Sequence, residues 1–184
     1  MNLYKRGRAI VLALLFLVNS IGAAYAHALP GTVLIFSREG PQLHVTIQFA
    51  LEDLKIAFPE IASLEDAPSP GALPSAELAQ LRAYFSDHIA LQSNSVDLAL
   101  SLTHARLRSA ENDHVGEFTQ LVANLTVAVS PSDQVPPLLL FYDAIMHEVR
   151  SHSATVYWKD SSGDLQALTE FRYNAARKPI PVNF

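Results

Sequence analysis

Gln42-Leu43-His44-Val45-Thr46-Ile47-Gln48-Phe49-Ala50-Leu51 decides the fold class of this chain. Leu43, Val45, Ile47, Phe49 and Leu51 occupy every second position, and Gln42, His44, Thr46, Gln48 and Ala50 fill the others. A period of two belongs to a strand, because successive side chains point to opposite faces. One face is apolar along its whole length, so the strand lies half-buried on a core. Gly40-Pro41 just upstream is a turn signal, and Gly31–Arg38 before it is rich in Val, Leu, Ile and Phe. The two runs predict a β-hairpin. A short helical turn over Leu51–Phe58 follows, stopped by Pro59.

The alternation returns further on. Val96, Leu98, Leu100 and Leu102 form one such set, and Leu121, Ala123, Leu125, Val127 and Val129 another, with Glu111-Asn112-Asp113 as the turn between them. Leu138–Arg150 reads as a long apolar strand and Ala154–Lys159 as a shorter one. Ser161-Ser162-Gly163-Asp164 is a turn, Ala167–Tyr173 a last strand, and Lys178-Pro179-Ile180-Pro181 a loose tail. Pro59 to Pro74, with Pro68, Pro70 and Gly71, reads as a Pro-rich loop. Ser75 has the character of a helix N-cap, with Glu77 in the first turn. Leu78, Leu81, Phe85 and Ile89 then recur at spacings of three and four, which predicts one amphipathic helix from Ala76 to about Ala90. About seven short strands separated by turn signals predict an all-β domain, a mainly antiparallel β-sandwich of immunoglobulin-like kind.

Residues 1–26 have the three parts of a secretory signal peptide. Lys5, Arg6 and Arg8 start it, Ala9 to Val18 is apolar and uncharged, and Ala24-Tyr25-Ala26 ends it. The apolar run is shorter than the roughly 20 residues that span a bilayer, which argues against a membrane anchor. Cleavage after Ala26 makes His27 the new N-terminus, whereas Ala26-His27-Ala28 permits a cut that removes it. Residues 27–184 then form a single soluble domain, periplasmic or secreted, long enough for a real core. The chain has no cysteine, which excludes disulfides, thiolate metal sites and Cys nucleophiles. The full sequence carries 13 basic and 18 acidic residues. Without Lys5, Arg6 and Arg8 the balance is 10 to 18, a net charge of −8. That sign disfavours nucleic-acid and anionic-membrane binding and suits cations.

All seven histidines lie beyond the signal peptide: His27, His44, His88, His104, His114, His147 and His152. With no thiol available, a transition-metal site must use N and O ligands, which suit Cu(II), Ni(II) or Zn. An N-terminal His27 offers an α-amine and an imidazole together. Asp143 and His147 fall on one face of the predicted strand Leu138–Arg150, where a carboxylate either orients an imidazole or simply pairs with it. The strand parity changes between the odd set ending at Val149 and the even set from Ala154, which predicts a bulge or a tight turn that re-aims His152. His88 shares the helix face of Phe85 and Ile89 and reads as a half-buried packing residue. His147-Glu148 with His152 gives H-E-x-x-x-H, one residue too long for the zinc-protease motif. There is no G-x-S-x-G elbow and no Gly-rich phosphate loop, so the chain reads as non-enzymatic.

Three stretches together resemble a known family. They are His27-Ala28-Leu29-Pro30-Gly31-Thr32-Val33-Leu34, Leu81-Arg82-Ala83-Tyr84-Phe85-Ser86-Asp87-His88-Ile89, and Phe141-Tyr142-Asp143-Ala144-Ile145-Met146-His147-Glu148-Val149-Arg150-Ser151-His152. This pattern is similar to the extracytoplasmic N-terminal domain of HupE/UreJ-like membrane proteins, here without the membrane portion. The positions of the pattern are His27, Tyr142, Asp143, His147 and His152. The resemblance implies an exported, β-rich domain linked to metal handling. On this reading the chain is a metal-binding accessory protein for Cu, Ni or Zn, with His27, Asp143, His147 and His152 as ligands. The alternative is a non-catalytic interaction domain that docks on a membrane protein, with the Asp/His cluster structural. A copper-binding β-sandwich with an N-terminal His is an analogy of fold and terminus only.

Overall fold

The fold is taken from a computed structural model that describes residues 29–66, 70–129, 137–173 and 178–183. The predicted signal peptide, its cleavage site and His27 lie outside the described residues. Among the described residues no helix is long and apolar enough to cross a membrane.

The opening hairpin forms as its alternation requires. β1 (Thr32–Glu39) pairs antiparallel with β2 (Gln42–Ala50), and Gly40, at φ 57, makes the turn. Leu34, Phe36, Leu43, Val45, Ile47 and Phe49 are all buried. The helical turn is α1 (Leu51–Ala57). The segment read as a loop is a 3-10 helix over Pro59–Asp66, followed by the two-residue strand β3 (Gly71–Ala72). α2 (Ser75–His88) buries Leu81, Tyr84 and Phe85. Pro74 holds its N-cap position without a side-chain cap, so Ser75 is the first helical residue and not the cap.

The remaining strands are β4 (Ile89–Ser93), β5 (Val96–Leu98), β6 (Leu100–Asn112), β7 (Gly116–Ala128), β8 (Leu138–Tyr142), β9 (Ser153–Lys159), β10 (Leu165–Arg172) and β11 (Ile180–Val182). They build a seven-stranded sheet in the order β10-β9-β1-β2-β7-β6-β3 and a four-stranded sheet in the order β11-β8-β4-β5. Pairing is antiparallel except where β1 runs parallel to β9. One hydrophobic cluster takes side chains from both sheets and both helices. The molecule is therefore β-rich, with two mainly antiparallel sheets.

Several expectations change. Val96–Thr103 is not one strand: the chain leaves the smaller sheet at Leu98 and joins the larger at Leu100, so the alternation runs on across a change of sheet. The tail is not loose, because Ile180–Val182 pairs with β8 and buries Val182 completely. Leu138–Arg150 is a strand only as far as Tyr142. Beyond it Asp143 gives its N–H to the carbonyl of His88, and His147 N–H returns to the Asp143 carbonyl at 3.0 Å, closing a tight turn. Ala144, Ile145 and Met146 are buried together inside that turn, so their apolar run reflects a buried turn and not a strand face. The parity change before Ala154 marks the passage from β8 in one sheet to β9 in the other.

Candidate functional site

Two histidine–carboxylate pairs sit where the chain passes between the sheets. The first joins β1, α1 and the approach to β9. His152 Nδ1 lies 2.9 Å from Asp53 Oδ2, and its Nε2 accepts the Thr32 backbone N–H at 3.1 Å and lies 2.8 Å from Thr32 Oγ1. An N–H pointing at Nε2 requires a lone pair there, which places the ring proton on Nδ1, facing the carboxylate. The Thr32 hydroxyl therefore donates to Nε2 and accepts from Tyr142 O–H at 3.1 Å. The result is a chain of hydrogen bonds from Tyr142 through Thr32 and His152 to Asp53. Burial raises the Tyr142 hydroxyl well above its ordinary pKa, with the bond to Thr32 opposing it.

The order hydroxyl–imidazole–carboxylate is that of a nucleophilic triad. Here it is sealed: Thr32 is 1% exposed and the His152 side chain 1%. Just before Thr32 the backbone packs tightly on the residue after His152: a Cβ at Gly31 would meet the Ser153 carbonyl oxygen at 2.5 Å.

The second pair lies at the end of α2. His88 Nδ1 is 2.9 Å from Asp143 Oδ1. The His88 ring stacks on His147, with centroids 4.1 Å apart and planes at 9°. Tyr84 supports both rings from α2 and itself stacks on Phe58 at 4.8 Å. The Tyr84 oxygen accepts the Ile145 N–H at 2.8 Å and lies 3.2 Å from His147 Nε2. His147 Nδ1 lies 3.6 Å from Glu148 Oε1. These bonds hold Ile145 at φ 65, a left-handed conformation that a β-branched residue rarely adopts.

Burial lowers the His147 pKa below the ordinary 6.5, His88 adds to the effect, and Asp143 and Glu148 oppose it. Burial also pushes Tyr84 up to about 12, with the Ile145 N–H opposing and Asp143 and Glu148 reinforcing. The signs give a pH dependence. His147 binds its proton more weakly when folded, so its contribution to stability is present above pH 6.5 and lost as pH falls through the lower folded value. Tyr84 contributes below pH 10.0 and loses that contribution as pH rises towards about 12. A histidine NMR titration should show His147 as a late titrator on acidification, and tyrosinate absorbance should show delayed phenols at both Tyr84 and Tyr142. A His147 midpoint at or above 6.5 contradicts the packing described here.

The sequence-derived ligand set is thus divided. Asp143 and His147 meet at the end of α2, but Asp143 bonds to His88, and His147 stacks on that ring. His152 belongs to the other pair, with both nitrogens committed to Asp53 and Thr32. His27 lies outside the described residues. Metal–imidazole bonds lie in the ring plane at about 2.0–2.1 Å. Two parallel stacked rings direct their lone pairs side by side and do not converge on one ion. No cluster of three or more metal-ligating side chains occurs among the described residues. Among the described residues, Asp143, His147 and His152 are therefore not brought together around one point. Sequence reasoning missed Asp53, Thr32 and Tyr84. Only His88 carried a signal, its place on the buried face of the helix.

No protein-family model matches the chain, and no curated protein matches its sequence.

Proposed function

We propose that this chain is an exported, non-catalytic interaction domain, of the kind found outside the membrane in HupE/UreJ-like proteins, which docks on a membrane partner. The observation that carries this reading is the bonding of His152. Both ring nitrogens are spent inside the protein, between Asp53 and Thr32, where no substrate reaches them. The second pair likewise fastens a turn to a helix. Both clusters therefore read as ties that hold a binding surface rigid. An immunoglobulin-like sandwich is the fold reading that goes with this role, supported by two sheets that share one buried cluster. The test is co-purification of the mature chain from detergent-solubilised membranes with a polytopic membrane protein encoded beside it. A stoichiometric complex supports the proposal, and its absence overturns it.

A metal-handling role has one observation in its favour. His88 donates Nδ1–H to Asp143, which leaves Nε2 with a lone pair, the way a carboxylate holds many metal-binding imidazoles. With His27 at the N-terminus, His88 would supply the second nitrogen donor. Calorimetric titration of the mature protein with Cu(II), Ni(II) and Zn(II) separates the readings. The interaction-domain reading expects no site tighter than micromolar. Tight binding that disappears in both His27→Ala and His88→Ala establishes the metal role.

A further inference from the structure

A separate feature lies further along α2. β5 belongs to the smaller sheet and β6 to the larger, with Ala99 alone between them, so the sheets part at this point. α2 covers the wedge incompletely and leaves a cavity of about 390 Å³. The two cavities around Asp143 are smaller, about 170 and 180 Å³. Phe85, Ile89, Leu91, Leu102 and Leu125 form the floor and are buried, and Leu98 and Leu100 are half-buried along the wall. On the order of a dozen waters would fit this space, at roughly 30 Å³ each. Apolar walls give such waters few partners, so an apolar group that displaces them gains free energy.

The rim is polar and asymmetric. Arg82, exposed on α2, reaches the Leu102 carbonyl through Nη2 at a long 3.4 Å. A guanidinium carries five N–H donors in a planar fork that matches a carboxylate or a phosphate. The acidic group across the rim, Asp97, already accepts a hydrogen bond from Gln92 Nε2 at 2.8 Å. A mainly apolar space with a guanidinium and an already bonded carboxylate on its rim has the build of a small-molecule site.

We propose that the cavity between α2 and the β5–β6 crossing binds a single-chain amphiphile with an anionic head, its alkyl chain on Phe85, Leu91 and Leu102 and its head on Arg82. The binding is reversible and involves no covalent step. A carboxylate and a phosphate head share this chemistry, and a carboxylate probe with an alkyl-phosphate arm distinguishes them. The cavity's lining includes no member of either histidine pair, although Ile89 in its floor directly follows His88, and the proposal stands or falls independently of the docking role.

The test is titration of the mature protein with laurate, dodecyl phosphate and dodecanol, each below its micelle-forming concentration, followed by amide NMR. The expected result is one-to-one binding, with shifts confined to α2, β4, β5 and β6. Arg82→Gln weakens both anions about tenfold and leaves dodecanol unchanged. Ala99→Trp, which places an indole at the cavity wall, abolishes all three. Failure of both anions to bind overturns the proposal. So does binding that Arg82→Gln and Ala99→Trp leave untouched. Native amide spectra of the two variants show that any loss is local.

Discussion

His152→Ala should cost about 3–5 kcal/mol of folding stability, the range found when one member of a buried ion or hydrogen-bonded charge pair is removed. The substitution does three things at once. It leaves the Asp53 carboxylate, whose side chain is 13% exposed, without its imidazole. It leaves the Thr32 N–H without its acceptor and sends the Thr32 hydroxyl in search of another. It also opens a cavity at a residue that is only 4% exposed. For a domain of this length the midpoint of thermal unfolding should fall by roughly 6–20 °C. His152→Gln keeps one polar arm and should recover only part of the loss, since an amide does not span Asp53 and Thr32 together. Urea denaturation of the protein measures both. A loss below about 1 kcal/mol for His152→Ala would mean that the buried tie contributes little beyond what solvent supplies.

Tyr84→Phe is the second large effect, and the cleaner one, because it removes a single oxygen. The ring stays, with its stack on Phe58 and its contact with His88. The Ile145 N–H loses its acceptor in a fully buried position, which costs about 1–3 kcal/mol. His147 Nε2 loses its hydrogen-bond partner in the same step. Ile145 keeps its left-handed backbone only while its surroundings over-determine it, so the turn from Asp143 to Val149 should open more often. Amide hydrogen exchange reports this directly, and Ile145, His147 and Val149 should exchange faster than β8 and β9. Unchanged exchange at Ile145 would show that packing around Ala144 and Met146 holds the turn without the phenol.

The opening hairpin and α1 were legible in the sequence because their signals are local. Alternation from Leu43 to Phe49 names the buried face by itself, and Pro59 ends the helix that follows. The α2 stripe was legible for the same reason as far as Phe85, whereas Ile89 and Ala90, read as its last turn, begin β4, and Tyr84, a polar-tipped residue, did not announce that it faces inward. What was hidden depends on distant partners. Ile180–Val182 is a strand only because β8 has an open edge for it to pair with. The run from Ala144 to Met146 is as apolar as a strand, and nothing local shows that the chain turns there.

The histidine clusters were the least legible part. Asp143 and His147 were expected to share one face of a strand, and they come together through a turn, with His88 between them. The partners of His152 are Asp53 and Thr32, far away in sequence, and no spacing rule joins them. Period and motif report neighbours along the chain, whereas these sites are built by the folding of one sheet against another.

The parallel pairing of β1 with β9 also bears on time. Thr32 and His152 meet across 120 positions of sequence. At about 5–20 residues per second, that interval of synthesis lasts roughly 6–24 s. Until its end β1 is matched along one edge only, by β2, and its other edge is a row of open donors and acceptors beside Leu34 and Phe36. Newborn copies of this chain are therefore at their stickiest while still incomplete, and crowding of such copies is the condition under which they would pair with each other instead of with themselves.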